Sequence, residues 1–245
     1  MTDSFHVIYL TGAPAAGKST LVSLLMESVQ PLEGLSYSKL LSDYIAQQRS
    51  QVDLAQMRKQ SASLITPEDI DTVDTQLIEY VCRRRQETHL IIDSHPVTKE
   101  AYGFRITAFS IEKLQALRPT MICMLYTEPS VVVERIQANA QGRSTINYFE
   151  AAFHSELQGS VAATYGIVLG IPVYLLDSSK PVAEVANTII TRLEAKNPLT
   201  KRVDASMMSN AKEQESKKAI DKFVSNYPQT FHMHIRLFLF IYLTL

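Results

Sequence analysis

The chain has 245 residues, of which 46% are hydrophobic and 20% are charged, and its formal net charge is −1. This composition excludes disordered and collagen-like proteins, and the length suits one α/β domain with an appendage. The near-neutral charge excludes the broad basic field with which proteins attract nucleic acid or anionic membranes, so a nucleic-acid partner is not expected.

The first predicted element is a buried strand, "FHVIYL" at residues 5–10. The segment "GAPAAGKST" at residues 12–20 follows it and matches the pattern G-x-x-x-x-G-K-[ST]. An amphipathic helical pattern then begins at Lys18. A strand, this loop and a helix in this order predict a loop that binds nucleotide phosphates.

The chemistry of this loop follows from its residue types. Gly12 and Gly17 allow backbone angles that turn successive amides toward phosphate oxygens. Lys18 supplies charge to the β and γ phosphates, and Ser19 offers a hydroxyl to Mg²⁺. We therefore predict an ATP and Mg²⁺ site, formed by Gly12, Ala13, Pro14, Ala15, Ala16, Gly17, Lys18, Ser19 and Thr20.

Four further strands and five further helices are predicted along the chain. The strands are Leu35 to Ser38, "THLIIDSH" at 88–95, "PTMICMLYTE" at 119–128 and "IPVYLLD" at 171–177. The helices are 39–48, 67–85, 129–136, 147–169 and 180–195, the second of which has Thr66 and Pro67 as start signals. Strands that alternate with helices predict a doubly wound, five-stranded parallel sheet within one domain, residues 1–195.

Asp93 is the last residue of "LIID", the strand part of the third predicted segment, which then ends in a polar turn. The carboxyl ends of parallel strands are where ligands bind in such folds, and a carboxylate there holds Mg²⁺ through water. We therefore expect Asp93 to contribute to the metal site. The alternative is that Asp93 only forms a turn before Ser94.

Several dispersed motifs resemble the archaeal-type adenylate kinase family of the nucleoside monophosphate kinase fold. They are "GAPAAGKST", "DSH" at residues 93–95, "QMRKQ" at residues 56–60, and "ATYGIVLGIPVYLLD", in which Tyr165 and Gly170 keep the family's spacing. The resemblance covers residues 5–195. It implies a phosphate-loop kinase with acceptor-binding helices at residues 39–87 and a short lid at residues 139–147.

The resemblance also implies roles for individual residues. Arg58 would bind the phosphate of the acceptor, and Asp93 and His95 would border the acceptor and the metal. Arg143 would be the lid arginine that reaches the transferring phosphoryl group. The loop at Ser178 and Ser179 would hold the adenine of ATP. Two alternatives remain open: Arg58 as a solvated helix residue, and His95 as a side chain that packs locally in its turn.

The predicted lid departs from the family pattern because "NAQGRSTINY" contains a single arginine, Arg143. Arg135 lies two turns earlier on the preceding helix. Lys99 and Arg105, in the segment after the third strand, are candidates for replacement charge. The alternative for Arg105 is an ordinary loop charge. Phosphoryl transfer spreads negative charge over the moving group, so cations near it are needed more than a strong base.

The expected function is therefore ATP-dependent phosphoryl transfer to a small molecule. A nucleoside monophosphate is the leading acceptor, and AMP is the leading specific case. One alternative is an ATPase that acts with an RNA or protein partner. Another is a nucleotide-binding regulator without catalysis, in which the sparse lid reflects lost transfer.

The composition also suggests where the protein is located in the cell and what its C-terminal segment is. Cys82 and Cys123 lack metal-ligand spacing and are interpreted as reduced core thiols, and with no secretory leader this predicts a cytoplasmic protein. Residues 196–245 are interpreted as a polar linker followed by an apolar end at 231–245. That end is too short to span a membrane. It is either packed on the domain, or a weak membrane or partner contact, or an atypical end without a role.

Overall fold

The structure is a computed structural model that describes residues 5–49, 64–138 and 145–194. Two predicted site residues, Arg58 and Arg143, lie outside the described residues. So do most of the predicted lid, part of the predicted acceptor-binding region and the extension from residue 196. The domain boundary near residue 195 therefore stays a prediction.

The described residues form strands and helices in the alternating order expected from the sequence. The strands are β1 Val7–Gly12, β2 Leu32–Ser36, β3 His89–Asp93, β4 Val97–Glu100, β5 Gly103–Ile106, β6 Met121–Tyr126 and β7 Val173–Asp177. The helices are α1 Lys18–Ser28, α2 Tyr37–Gln48, α3 Pro67–Arg84, α4 Ile111–Leu117, α5 Pro129–Ala138, α6 Tyr148–Leu169 and α7 Val182–Glu194.

Five of these strands form one parallel sheet in the order β2-β3-β1-β6-β7. Strand β1 lies at the centre, where Leu10 is opposite Asp93 of β3 and Gly12 is opposite Leu125 of β6. The strand order reverses beside β1, which is the position where open α/β sheets bind ligands. The predicted doubly wound, five-stranded parallel sheet is confirmed.

Helices cover both faces of the sheet, as two separate apolar clusters show. On one face, α1 and α7 bury residues such as Leu25 and Ile189 against β1, β3 and β6. On the other face, α3, α4 and α6 bury residues such as Leu77, Leu114 and Tyr165 against the same strands. Both faces of the central strands are therefore shielded from solvent, which accounts for the continuous apolar runs in their sequences.

Three local features differ from the sequence-based predictions. The second strand is Leu32–Ser36 and not 35–38, because the chain already enters helix α2 at Tyr37. The segment after the third strand, for which no strand was predicted, forms an antiparallel hairpin of β4 and β5. The short helix α4, which was not predicted, begins at the capping residue Ser110, whose hydroxyl accepts from the backbone amide of Lys113.

The two cysteines lie in different environments. Cys123 is buried in β6, as expected for a core thiol, and burial raises the pKa of its thiol to about 12. Cys82 lies on α3 and is exposed, so its interpretation as a core thiol is wrong. The reason is that the apolar face of α3 is formed by Val73, Leu77 and Val81, and Cys82 falls beside that face.

None of the helices in residues 5–49, 64–138 and 145–194 combines the length and the apolar character that a bilayer crossing requires.

Candidate active site

The phosphate loop connects β1 to α1 at the centre of the sheet edge. Gly12 has φ of +147°, Ala15 of +62° and Gly17 of +93°, so three of its residues adopt left-handed backbone angles. A Cβ atom at Gly12 would lie 2.6 Å from the carbonyl oxygen of Leu125. Only glycine fits at this first position, and the reversed angles make a concave backbone that suits an anion.

Lys18 lies at the first position of α1 and is buried, with 8% of its surface exposed. Its ammonium donates to the carbonyl oxygens of Gly12, at 2.8 Å, and Ala13, at 3.2 Å. These bonds hold the ammonium against the first two residues of the loop. The structure thus places the predicted phosphate-binding lysine where phosphate oxygens would enter.

Asp93 ends β3 beside the loop and is half-buried. Its Oδ1 atom has no hydrogen-bond partner among the described residues. Burial raises the pKa of Asp93, and the positive charge of Lys18 acts in the opposite direction. A carboxylate oxygen left without a donor at the edge of a phosphate site fits a cation ligand, directly or through water.

The exposed Ser19, at the start of α1, is the second residue expected to hold Mg²⁺. Within residues 5–49, 64–138 and 145–194, no three His, Cys, Asp or Glu side chains gather as a metal site. A site with one carboxylate and one hydroxyl suits Mg²⁺, which keeps several waters and binds substrate phosphates as further ligands. The residues present therefore fit this ion.

An open cavity of about 950 Å³ extends from the phosphate loop across the carboxyl edge of the sheet. This volume lies at the upper end of the range for small-molecule sites. Its lining includes predicted site residues from the loop and from the turn after β3: Pro14, Ala15, Ala16, Gly17, Lys18, Ser19, Thr20, Asp93 and His95. The structure thus brings most of the described candidates together.

The part of the cavity beyond Asp93 is lined by aromatic and polar side chains. Tyr37 at the start of α2 and Phe109 before α4 make an edge-to-face contact, with ring centroids 5.7 Å apart. The Tyr37 hydroxyl donates to Oδ1 of Asp74 at 2.7 Å, and the Lys113 ammonium donates to Oδ2 at 2.9 Å. Asp74 therefore ties α2, α3 and α4 together beneath this part of the cavity.

The β4–β5 hairpin forms another wall and carries the two candidate replacement charges. Lys99 lines the cavity and pairs with Glu150 of α6 at 2.7 Å. Arg105 pairs with Glu100, its near neighbour across the hairpin, at 3.1 Å. Lys99 is thus placed to meet a ligand, whereas this ion pair directs Arg105 toward its own hairpin.

Arg135 on α5 contacts the phosphate loop. Its guanidinium donates to the carbonyl oxygen of Ala15 at 3.0 Å, and the residue lines the cavity. The sequence indicated Arg135 only as the nearest arginine before the predicted lid. The structure shows a direct contact with the loop, which the position of Arg135 on a helix 120 residues away did not reveal.

The loop after β7 borders the cavity at the other end of the phosphate loop. Ser178 lines the cavity, and its hydroxyl donates to the carbonyl oxygen of Tyr126. Ser179 instead donates from its amide and its hydroxyl to Oδ1 of Asp177. Lys180 and Val182 complete this wall. The expected adenine-binding segment thus lies beside the phosphate loop, through Ser178 and the residues that follow it.

Two residues that the sequence interpretation left without a role lie one turn apart on α6. His154 is buried, with 1% of its surface exposed, and its Nε2–H donates to the carbonyl oxygen of Val97 at 2.9 Å. Gln158 is fully buried, and its Nε2–H donates to the carbonyl oxygen of Gly12 at 3.2 Å. Polar residues four apart on the buried face of an otherwise apolar helix were the available signal.

His154 is held in its neutral form. Burial, together with the nearby charges of Lys18 and Lys99, lowers its pKa to about 4. Because Nε2–H donates to a carbonyl, Nδ1 carries the lone pair, and it has no partner among the described residues. A neutral imidazole of this kind supports the hairpin and is too weak a base to abstract protons at neutral pH.

Comparison with known proteins identifies the family. A sequence profile described as AAA domain matches residues 11–150, which is more than half of the chain. The chain belongs to the AAA domain family. The match begins at the end of β1 and includes the phosphate loop, Asp93 and the hairpin of this AAA domain. None of the curated proteins matches the chain.

Solved structures similar to this AAA domain include three described as kinases. A sugar kinase from Janibacter sp. HTCC2649 has a TM-score of 0.46 and 15% identity, covering 76% of this chain and 93% of that chain. A shikimate kinase from Acinetobacter baumannii, in complex with shikimate, has a TM-score of 0.47 and 16% identity, and the match covers 78% of this chain and 94% of that chain. A shikimate kinase from Bacteroides thetaiotaomicron has a TM-score of 0.49 and 16% identity, and the match covers 77% of this chain and 98% of that chain.

Proposed function

We propose that the protein is an ATP-dependent phosphotransferase that transfers the γ-phosphoryl group of Mg·ATP to a small acceptor. The observation that carries this proposal is the continuous cavity of about 950 Å³ that extends from the phosphate loop to the Tyr37–Phe109 wall. A hydrolase needs a nucleotide site and a water molecule. The additional space beyond Asp93, with its own aromatic and polar lining, suits a second substrate.

The leading acceptor is a nucleoside monophosphate, with AMP as the leading case. Tyr37 and Phe109 offer ring edges and faces to a planar base. The hydroxyls of Ser36 and Ser38 and the carboxylate of Asp74 line the same region and suit the polar edge of a base or a ribose. The sequence motifs shared with archaeal-type adenylate kinases support the same acceptor class. Arg58, outside the described residues, is the proposed partner of its phosphate.

In the proposed reaction the protein positions two substrates and neutralises charge. The amides of the phosphate loop hold the β and γ phosphates, and Lys18 turns its ammonium from backbone carbonyls to phosphate oxygens. Ser19 and Asp93 would hold Mg²⁺, which supplies positive charge to the same oxygens. Lys99, Arg135 and the proposed lid residue Arg143 add cations around the moving group.

No strong base is required for an anionic acceptor, because its phosphate oxygen is already deprotonated at neutral pH. The lowered pKa of His154 agrees with this, because it makes the imidazole a weak base beside the cavity. Closure of the site over the bound acceptor would exclude water and limit hydrolysis. We propose that His95, which lines the cavity after Asp93, contacts the acceptor.

The test is ADP formation from Mg·ATP against a panel of nucleoside monophosphates. We expect slow ADP formation without an acceptor and rapid ADP formation with AMP or another monophosphate. Equal ATP consumption with and without acceptors would instead support the ATPase alternative. Tight ATP binding without turnover under any condition would support the non-catalytic regulator.

Replacing Lys18 is the first prediction at the site. Lys18→Ala removes the cation that lies within the loop, so we expect transfer to fall by at least about 10²-fold. The measurement is steady-state ADP formation with the best acceptor of the panel. Arg192→Ala, which removes an exposed cation of α7 away from the cavity lining, is the matched control and should retain activity. Similar activities for both variants would remove Lys18 from the mechanism.

Arg135 and the proposed lid residue Arg143 form the second prediction. Arg143→Ala is expected to reduce turnover much more than ATP binding, because a lid arginine acts on the moving phosphoryl group. Arg135→Gln removes the bond to the Ala15 carbonyl and is expected to weaken ATP binding as well. Measuring kcat together with the Kd for Mg·ATP separates these effects. Unchanged turnover in Arg143→Ala would show that the lid assignment is wrong.

A further inference from the structure

The carbonyl oxygen of Gly12 accepts hydrogen bonds from two side chains that come from opposite sides. Lys18 approaches from α1 at 2.8 Å, and Gln158 approaches from α6 at 3.2 Å. Gly12 is buried, so water does not replace either donor. The first carbonyl of the phosphate loop is therefore bonded twice.

The two donors have different fates when a nucleotide binds. Lys18 has to direct its ammonium to phosphate oxygens, which draws it away from backbone carbonyls. Gln158 is fixed, because it is fully buried on a helix of 22 residues. Without Gln158, the Gly12 carbonyl would lose its last donor when Lys18 moves. A buried acceptor without a donor disfavours that state by a factor of about 5 to 100.

The buried amide has a cost that packing alone does not explain. The Oε1 atom of Gln158 has no partner among the described residues, and an apolar side chain would avoid burying it. The contact also bridges 146 residues of sequence between the phosphate loop and α6. An amide at this position is therefore explained by what it does for the loop.

We propose that Gln158 is a positioning residue for the nucleotide: it keeps the Gly12 carbonyl bonded while Lys18 turns to the phosphates. This inference rests on the proposed binding of Mg·ATP at the loop. It predicts a selective effect, because only ligands with phosphates recruit Lys18. A nucleoside without phosphates leaves Lys18 on the Gly12 carbonyl and does not need Gln158.

The experiment measures binding to the full chain by calorimetry, without an acceptor. Gln158→Met keeps the length of the side chain and removes its donor. We expect its Kd for Mg·ATP to rise by about 5- to 100-fold while its Kd for adenosine stays within about twofold of the original. Ser160→Ala, on the exposed face of the same helix, is the matched control and should bind both ligands normally.

Each other outcome has a defined meaning. An unchanged Kd for Mg·ATP in Gln158→Met, or equal losses for Mg·ATP and adenosine, would overturn the positioning role. A variant that only melts at a lower temperature would show a structural contact and would also overturn it. If Gln158→Met does not fold, Gln158→Leu is measured in the same way. Failure of the unaltered chain to bind Mg·ATP would reject the proposed function itself.

Discussion

At the scale of single residues, His154 shows how burial and neighbouring charges change the pKa of a side chain. The imidazole is enclosed by α6 and the hairpin, contacts the ring of Phe104 with centroids 5.1 Å apart, and bonds to the Val97 carbonyl. Lys18 and Lys99 both disfavour its protonated form. It therefore stays neutral in the folded protein at pH values where an exposed histidine is charged.

This difference predicts a pH dependence of stability. The pKa of His154 is about 4 in the folded chain and 6.5 as the ordinary value, so between these values the unfolded chain binds the extra proton. The free energy of unfolding should then fall as the pH decreases from 6.5 toward 4, by about 3 kcal/mol at most from this group. Chemical denaturation across this pH range measures it.

The control for this prediction is His154→Gln, which keeps a donor for the Val97 carbonyl and does not titrate. His6 and His89 also have lowered pKa values through burial, so some pH dependence should remain in the variant. The difference between the two stability profiles isolates His154. Parallel profiles over the whole range would show that the buried imidazole is not the source.

At the scale of secondary-structure elements, α6 organises much of the site. It begins with a capping box in which Asn147 and Glu150 bond reciprocally, and it ends at Gly170 with φ of +63°. Along its buried face, Gln158 contacts the phosphate loop and Tyr165 contacts the segment before α4. One helix thus supports both parts of the cavity.

Tyr165 supplies a prediction about this element. Its hydroxyl oxygen accepts from the amide of Phe109 at 2.6 Å, and Phe109 carries the ring that faces Tyr37. Tyr165→Phe should therefore raise the KM for the acceptor by about 2- to 10-fold, from the loss of one buried hydrogen bond, and leave the Kd for Mg·ATP unchanged.

Tyr174→Phe on β7 is the corresponding control, because that residue lies beside α7 and Arg192. Kinetic titration of both substrates distinguishes the two variants. An equal change of both constants in Tyr165→Phe would mean that α6 affects the whole site without distinguishing its parts.

The elements of the main sheet were predictable because each has a strong local pattern. Runs such as "VIYL" and "MICMLY" are apolar on both faces, and the glycine-bounded loop fixes the position of β1 and α1. The hairpin was not predicted, since its strands have only four residues each and a mixture of polar and apolar side chains. Short strands have too few positions to show a period.

The site was predictable only where its residues adjoin strand ends in the sequence. Lys18, Ser19 and Asp93 follow directly from β1 and β3, so topology brings them together. The contacts of Arg135 and Gln158 with the loop join residues more than 100 positions apart and depend on how helices pack. A single sequence can mark such a residue as unusual, but it contains no local signal for the distant partner that the residue contacts. The roles of Arg58 and Arg143 stay predictions.

At the scale of the whole molecule, nucleotide binding and folding are linked through the central strand. The loop that carries Lys18 continues directly from β1, which pairs with both β3 and β6. A ligand held by this loop binds the folded chain only, so it stabilises the whole domain by mass action. Ligand affinity is therefore measurable as a change in global stability.

We expect saturating Mg·ATP to raise the melting temperature. At a concentration of 100 Kd the free energy of unfolding increases by about 2.7 kcal/mol, which corresponds to about 5–10 °C for a chain of this size. Differential scanning calorimetry measures the shift, and EDTA should reduce it if Mg²⁺ contributes. Lys18→Ala should melt at the same temperature with and without ATP. A ligand-induced shift of normal size in that variant would place nucleotide binding elsewhere.

Because the two cysteines are buried to different extents, their rates of alkylation report the opening of the fold. In the native state an alkylating reagent should reach Cys82 on the surface of α3 and leave Cys123, whose thiol is buried and has a pKa of about 12. Strand β6, which carries Cys123, lies between β1 and β7, so that thiol reacts only when the sheet itself separates. Once Cys82 is blocked, the rate of the slow second alkylation reports the unfolding of the central sheet without an engineered cysteine.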